Sequence, residues 1–298
     1  MVESVRMLPN FFVVGAQKAG TTTLHNLLQA HPEIYLPEQK ETKFFVDDAR
    51  YALGIKHYER EYFSEWKNEP AIGEVDPDYM YFPHALERMN RDMDLSATKF
   101  IFLLRNPVER AFSHYLMTYR RGLEDLEFTR ALQVESERIA TDYLSNMHYS
   151  YASRGYYSEQ LERFGRVVDE ARILVLTSEE MQSHPEVCMK RIYGFLDVDT
   201  EYVPENIGRK YHTATVPKSM MMLKRLENKD ALEKKLLRLL MPSKKLRGRI
   251  RERLNTWNQT EDGKPVLSNE AKAILREAYR ESNQTLNEKY GVDSRLWS

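Results

Sequence analysis

The stretch "NFFVVGAQKAGTTTLHNLL", residues 10–28, decides the fold. An apolar run over 11–16 leads into a short polar turn, and "TTTLHNLLQAHP" follows, with Leu24, Leu27 and Leu28 spaced to share one face of a helix that Pro32 ends. A short apolar run bounded by a turn reads as a buried parallel strand. Strand, glycine-rich turn and helix start together present backbone amides to an anion, because the first amides of a helix have no partner within it. A Walker-type loop, G-x-x-x-x-G-K-[ST], carries its lysine after the second glycine. Here Gly15-Ala16-Gln17-Lys18-Ala19-Gly20-Thr21-Thr22 keeps the glycine spacing, but Thr21 stands in the lysine position and Lys18 enters from within the turn. A magnesium–nucleotide enzyme is disfavoured by that loss, although a kinase with a degenerate loop stays open, as does an incidental strand–turn–helix.

Two further runs, "KFIFLLR" (99–105) and "RILVLT" (172–177), read as strands of the same kind. Each precedes a helical pattern: "PVERAFSHYLMTYRR" with Pro107 in its first turn, and "SEEMQSHPEVCMKRIYGFL". Residues 129–164 are helical in pattern without strands. Strands alternating with helices imply an α/β fold in three layers, a parallel central sheet flanked by helices, of the P-loop nucleotide-binding kind. Ligands of such sheets sit beyond the carboxyl ends of the strands. The second strand ends in Arg105, and Ser113 follows on the next helix. The pair grips a second phosphate, or else Arg105 simply pairs with Glu109.

With 298 residues, 42% apolar and free of repeats or Gly/Ser linkers, the chain is expected to form one domain, 1–298. It includes a helical basic segment at about 218–260 and a C-terminal amphipathic helix at about 268–290. The net charge of −1 argues against nucleic acid as a partner. Eight histidines without an H-E-x-x-H and a single cysteine, Cys188, give no metal centre, and no G-x-S-x-G is present. No apolar run nears the roughly 20 residues of a membrane span, and the start lacks a signal-peptide core, so a soluble, cytoplasmic protein is expected.

"GAQKAGTT", "KETKFF", "GEVDPDY", "FLLRNPVERAFSHY" and "SRGYYSEQLERF" occur in that order. The chain thereby resembles the sulfotransferases that use 3′-phosphoadenosine 5′-phosphosulfate (PAPS), most of all the heparan-sulfate type and its bacterial relatives. The likeness runs from about 11 to 195, and more faintly through "IGRKYH" to "DSRLW". It implies transfer of a sulfuryl group to an acceptor hydroxyl, a carbohydrate being favoured, by in-line displacement without metal, leaving adenosine 3′,5′-bisphosphate. Lys18, Ala19, Gly20, Thr21, Thr22 and Thr23 match the loop for the 5′-phosphosulfate, and Arg105 and Ser113 the pair for the 3′-phosphate. Gly208, Arg209 and Lys210 resemble a loop that closes over the nucleotide, with Ile207 replacing its leading lysine.

By the same resemblance Lys18 offsets charge on the leaving phosphate, and Glu41, before the Phe-Phe pair, is the base, with His114 as the alternative. The charges of Lys40 and Lys43 pull the Glu41 pKa down while burial pushes it up, and the sequence leaves the winner open. Val75 stands where heparan-type relatives have a lysine, and Glu74, Asp76 and Asp78 are expected to form an acidic rim. Glu74 and Asp76 are weak candidates for acceptor binding; Asp76 equally suits a helix cap. The stretch 218–253, with 13 Lys/Arg against 4 Asp/Glu, reads first as a solvated helical face. Docking of an acidic carrier protein or anionic glycan is the second reading, and an anionic membrane the last. A carrier-bound or lipid hydroxyl is the alternative acceptor, and Met220 to Leu223 would line its apolar part.

Overall fold

In a computed structural model of the chain, residues 7–208, 216–217, 259–260 and 265–297 are described. Contacts divide the chain into two compact units: Met1–Arg110 with Ser153–Tyr211 and Leu275–Ser298, and Ala111–Ala152 with His212–Ile274. In chain order the first contains β1 (Phe11–Gly15), α1 (Thr21–Gln29), β2 (Ile34–Tyr35), α2 (Asp48–Tyr51), α3 (Ile55–Phe63), β3 (Ala71–Val75), α4 (Pro83–Asp92) and β4 (Lys99–Leu104). Helix α5 (Pro107–Arg120) leads into the second unit, which holds α6 (Phe128–Gln133), α7 (Glu135–Ile139) and α8 (Tyr143–Tyr149). The chain returns to the first through α9 (Tyr157–Gly165), β5 (Ile173–Thr177), α10 (Ser178–Ser183) and α11 (Pro185–Leu196). Strand β6 (Val216–Pro217) pairs antiparallel with β7 (Gln259–Thr260), and α12 (Asn269–Tyr290) covers the C-terminal pattern.

The five strands of the first unit form one parallel sheet in the order β2-β3-β1-β4-β5. The chain winds from β1 to one side and then crosses to β4 on the other. The carboxyl ends of β1 and β4 therefore flank a topological switch point, where sheets of this kind open a crevice. This is the three-layer α/β architecture expected.

Burial explains the strand composition. Phe11, Phe12, Val13 and Val14 of β1 are wholly buried, as are Phe100 to Phe102 of β4. Phe12 stacks on Phe100 at 5.8 Å and meets Phe45 and Tyr79 edge-on. Gly73 of β3 lies opposite Phe11 in register, and a Cβ there would come within 2.4 Å of three ring carbons of Phe11.

Two strands escaped the sequence reading. β2 has only two residues, and β3, "AIGEV", carries a glycine and a glutamate that break the apolar pattern, although all five of its residues are buried. The helical pattern after β5 is also two helices, α10 and α11, since Pro185 starts a new one. The second unit packs Tyr115, Phe128 and Tyr151 together, and the buried Glu124 accepts from Arg138 at 2.7 Å and from Tyr151 at 2.8 Å. Among the described residues no helix is long and apolar enough to cross a membrane. Arg209, Lys210, Met220 to Leu223 and the basic segment (apart from Gln259 and Thr260) lie outside the described residues.

Candidate active site

The turn from β1 to α1 is built to receive an anion. Gly20 is the N-cap of α1, exposed and at φ 99°, a backbone region that disfavours side chains. No side chain caps the helix, and its first turn carries no acidic residue, so the amides of Thr21, Thr22 and Thr23 keep their capacity for an outside acceptor. Thr21, Leu24, His25, Leu27 and Leu28 form the buried face of α1. The loop is bolted to the neighbouring strand. Ala16 N–H donates to Leu103 O at 2.7 Å, and the Ser178 hydroxyl donates to Ala19 O and to Leu104 O.

Arg105 follows β4 and bridges back to this loop, donating to Lys18 O at 3.3 Å. Its other amine pairs with Glu109 at 2.7 Å, one of the two alternatives left open by the sequence. That pair is a solvent-exposed i,i+4 contact, with the Glu109 side chain 56% exposed, and is worth about 0.5 kcal/mol. Ser113 lies half-buried on α5 in the second unit. Gly208, at φ 79°, is exposed.

The "KETK" loop, residues 40–43, carries three charged side chains. Among the described residues five non-glycines have φ in the left-handed region, and three of them are Lys18, Glu41 and Lys43. Such conformations cost about 1 kcal/mol or more each and persist where surrounding bonds enforce them. Here the bonds are visible. Glu41 N–H donates to Val75 O at 3.2 Å, and Lys43 N–H to Asp76 Oδ2 at 2.9 Å. Between them Thr42 is fixed by Glu74, whose Oε1 accepts from the Thr42 hydroxyl at 2.6 Å and from its amide at 3.1 Å.

Glu41 is thereby presented with 35% of its side chain exposed, between Lys40 and Lys43, the latter at 3.1 Å. Burial resists its ionisation, but Lys43 and then Lys40 outweigh that and hold it below the ordinary 4.5, which answers the question the sequence left open. Lys43 also meets Asp76 at 2.8 Å and Asp78 at 2.6 Å, and Asp78 is gripped by the buried Arg154. Against its burial, Arg154 and Lys43 hold Asp78 well below the usual carboxylate range, while burial, with Asp78 and Glu41 nearby, raises Asp76.

The acidic rim expected from Glu74, Asp76 and Asp78 is therefore corrected. All three are wholly buried, committed to Thr42, Tyr58, Tyr79, Lys43 and Arg154, and none faces an acceptor. Asp76 caps no helix either; it anchors the backbone of Lys43 and Asp78. His114, the alternative base, is wholly buried in the second unit, edge-on to Tyr151 at 5.1 Å. The sequence reading missed His25, Lys43 as an ion-pair hub, and Arg154. His25, on the buried face of α1, feels the charges of both Lys40 and Glu41; burial and then Lys40 bring its pKa to about 4, so it is neutral near pH 7. Its spacing of four residues from Thr21 was the available signal.

Glu74 gives a stability prediction. Burial and then Asp76 raise its pKa to about 7 despite the donors around it. A carboxyl raised in the folded state stabilises fully below its unfolded value near 4.5, and that contribution drains away as pH rises through 7. A shift of this size corresponds to about 3 kcal/mol. Glu74→Gln, which mimics the protonated acid, is expected to fold and to flatten the loss of stability between pH 4.5 and 7, as read from urea midpoints across pH.

The family model of the sulfotransferase domain matches residues 8–284. Over 164 residues the chain is 41% identical to the membrane-associated sulfotransferase kil1 of Dictyostelium discoideum, covering 53% of this chain and 34% of that protein. Over 217 residues it is 25% identical to heparan sulfate glucosamine 3-O-sulfotransferase 5 of Mus musculus, covering 71% of this chain and 59% of that protein. The chain thus spans less than two thirds of the length of these relatives. A solved sulfotransferase from Alicyclobacillus acidocaldarius shares the fold, with a TM-score of 0.68 at 24% identity over 97% of this chain and 98% of that one. Because the family match runs through nearly the whole length, the chain belongs to the sulfotransferase domain family and is an enzyme of that class.

Proposed function

We propose that the chain transfers the sulfuryl group of PAPS to an acceptor hydroxyl, a carbohydrate hydroxyl being favoured, with Glu41 as the general base. One observation carries this reading: an ionised, partly exposed glutamate acts electrostatically on His25 of α1, the helix whose uncapped start follows a loop tied to a strand-end arginine. In this reading the amides of residues 19–23 and Lys18 take the 5′-phosphosulfate, and Arg105 exchanges Glu109 for the 3′-phosphate. Sulfuryl transfer is a loose displacement in which positioning and charge stabilisation do most of the work, as in phosphoryl transfer. Lys18 and the amides counter the charge that develops on the leaving phosphate. Glu41 takes the acceptor proton as its oxygen attacks. The name of the mouse relative supports a glycan acceptor.

The test needs no acceptor. Adenosine 3′,5′-bisphosphate at a hundredfold excess over its Kd is expected to add about 2.7 kcal/mol, and so several degrees in Tm, with no Mg²⁺ present. A rise seen only with ATP and Mg²⁺ would overturn the reading in favour of a kinase. A rise with the bisphosphate but no consumption of labelled PAPS, across sugars, phenols and acylated carriers, would leave a binder without transfer activity.

A further inference from the structure

The candidate base does not stand alone. Its carboxylate is the exposed end of a chain of ion pairs that runs inward: Glu41 to Lys43 at 3.1 Å, Lys43 to Asp78 at 2.6 Å, and Asp78 to Arg154. Exposure falls along this chain from 35% for the Glu41 side chain through 18% for Lys43 to 1% for Asp78 and 2% for Arg154. Asp76, wholly buried, holds Lys43 from a second side at 2.8 Å and also fixes its backbone. With Glu74 protonated, three cations (Lys40, Lys43 and Arg154) meet three carboxylates (Glu41, Asp76 and Asp78). The balance is local, and removing any one member leaves an uncompensated charge behind.

We propose that Lys43 is a positioning residue, which aims the Glu41 carboxylate and keeps it ionised by transmitting the fixed geometry of Asp76, Asp78 and Arg154 to the site. This rests on Glu41 being the base. The physical reason is anchoring. A surface lysine pays rotamer entropy to hold a carboxylate and contributes little, whereas Lys43 is already immobilised by two buried aspartates, so its contact with Glu41 carries almost no further ordering cost. Lys40, which also touches Glu41, has no comparable anchor among the described ion pairs. The groups facing Glu41 are then Lys40 and Lys43 of its own loop, His25 of α1, neutral near pH 7, and Asp78 beyond β3. Of these only the two lysines favour its ionised form, and Lys43 is the larger influence.

The experiment reads the ionisation of Glu41 directly, by ¹³C NMR titration of its labelled carboxyl group, assigned by its loss in Glu41→Gln. Lys43→Gln is expected to move that titration up by about one pH unit or more, and Lys43→Arg to return it towards the wild-type value. With labelled PAPS and an unsulfated hexosamine oligosaccharide, Lys43→Gln is expected to lower kcat about tenfold or more, with the KM for PAPS little changed. The double variant with Glu41→Gln should lose no more than Glu41→Gln alone. If Lys43→Gln does not fold, Lys43→Gln/Asp76→Asn removes the stranded charge together with its partner and serves the same titration. An unmoved Glu41 titration in a folded variant overturns the inference while leaving the base intact. Unimpaired turnover in Glu41→Gln overturns the base itself, whatever the titration shows.

Discussion

Glu41→Gln is expected to lower kcat by about 10²-fold or more, the usual contribution of a positioned general base. The amide keeps the shape of the side chain, so the left-handed backbone at Glu41 and the bond from its amide to Val75 O survive, and the loss reads as chemistry rather than folding. The pH dependence sharpens the test. A base works in its deprotonated form, and Lys43 and Lys40 hold Glu41 below 4.5. Turnover of the wild-type chain should therefore persist as pH falls from 7 through 5, with its acid limb below the ordinary glutamate range. A kcat profile that halves near pH 6.5 would point to a histidine instead, which His25, neutral down to about pH 4, does not supply.

Lys18→Ala is expected to cost about 10²–10³-fold in kcat, the range seen when one donor to a developing negative charge is removed. Binding of the bisphosphate should suffer far less. The contact from Arg105 to position 18 uses the backbone carbonyl, which alanine retains, and the amides at the start of α1 are untouched. Because position 18 sits at φ 72°, alanine inherits the same strain as lysine and glycine would release it, so alanine isolates the ammonium group. Unchanged kcat with a weakened bisphosphate Tm shift would assign Lys18 to ground-state binding alone.

Much of this was written in local sequence. The turn at 15–20, the helices after β1 and β4, the C-terminal helix and the placement of Arg105 at a strand end all follow from hydrophobic period and turn chemistry within single contiguous stretches of chain. The candidacies of Lys18 and Glu41 rested instead on the likeness of "GAQKAGTT" and "KETKFF" to motifs of the sulfotransferases. Other features depended on groups brought together from distant parts of the chain. β3 contains a glutamate and a glycine, and reads as a strand only when Gly73 is seen to make room for the ring of Phe11 and Glu74 to meet Thr42, Tyr58 and Tyr79.

The sign of the Glu41 pKa shift was of the second kind. Flanking lysines were visible in "KETK", but whether they or burial prevailed depended on how firmly Lys43 was held, and its anchors, Asp76 and Asp78, come from more than 30 residues away. The acidic rim failed for the same reason. Asp and Glu are expected at the surface because burying an unpaired charge is prohibitive, but Lys43 and Arg154 offset that penalty for Asp76 and Asp78, and hydroxyl donors and a raised pKa offset it for Glu74. Local sequence thus determined the glycine-bounded turn and named the candidate reactive groups. Only the tertiary structure decided their ionisation and exposure, because electrostatic energy depends on distances in space that the order of residues does not contain.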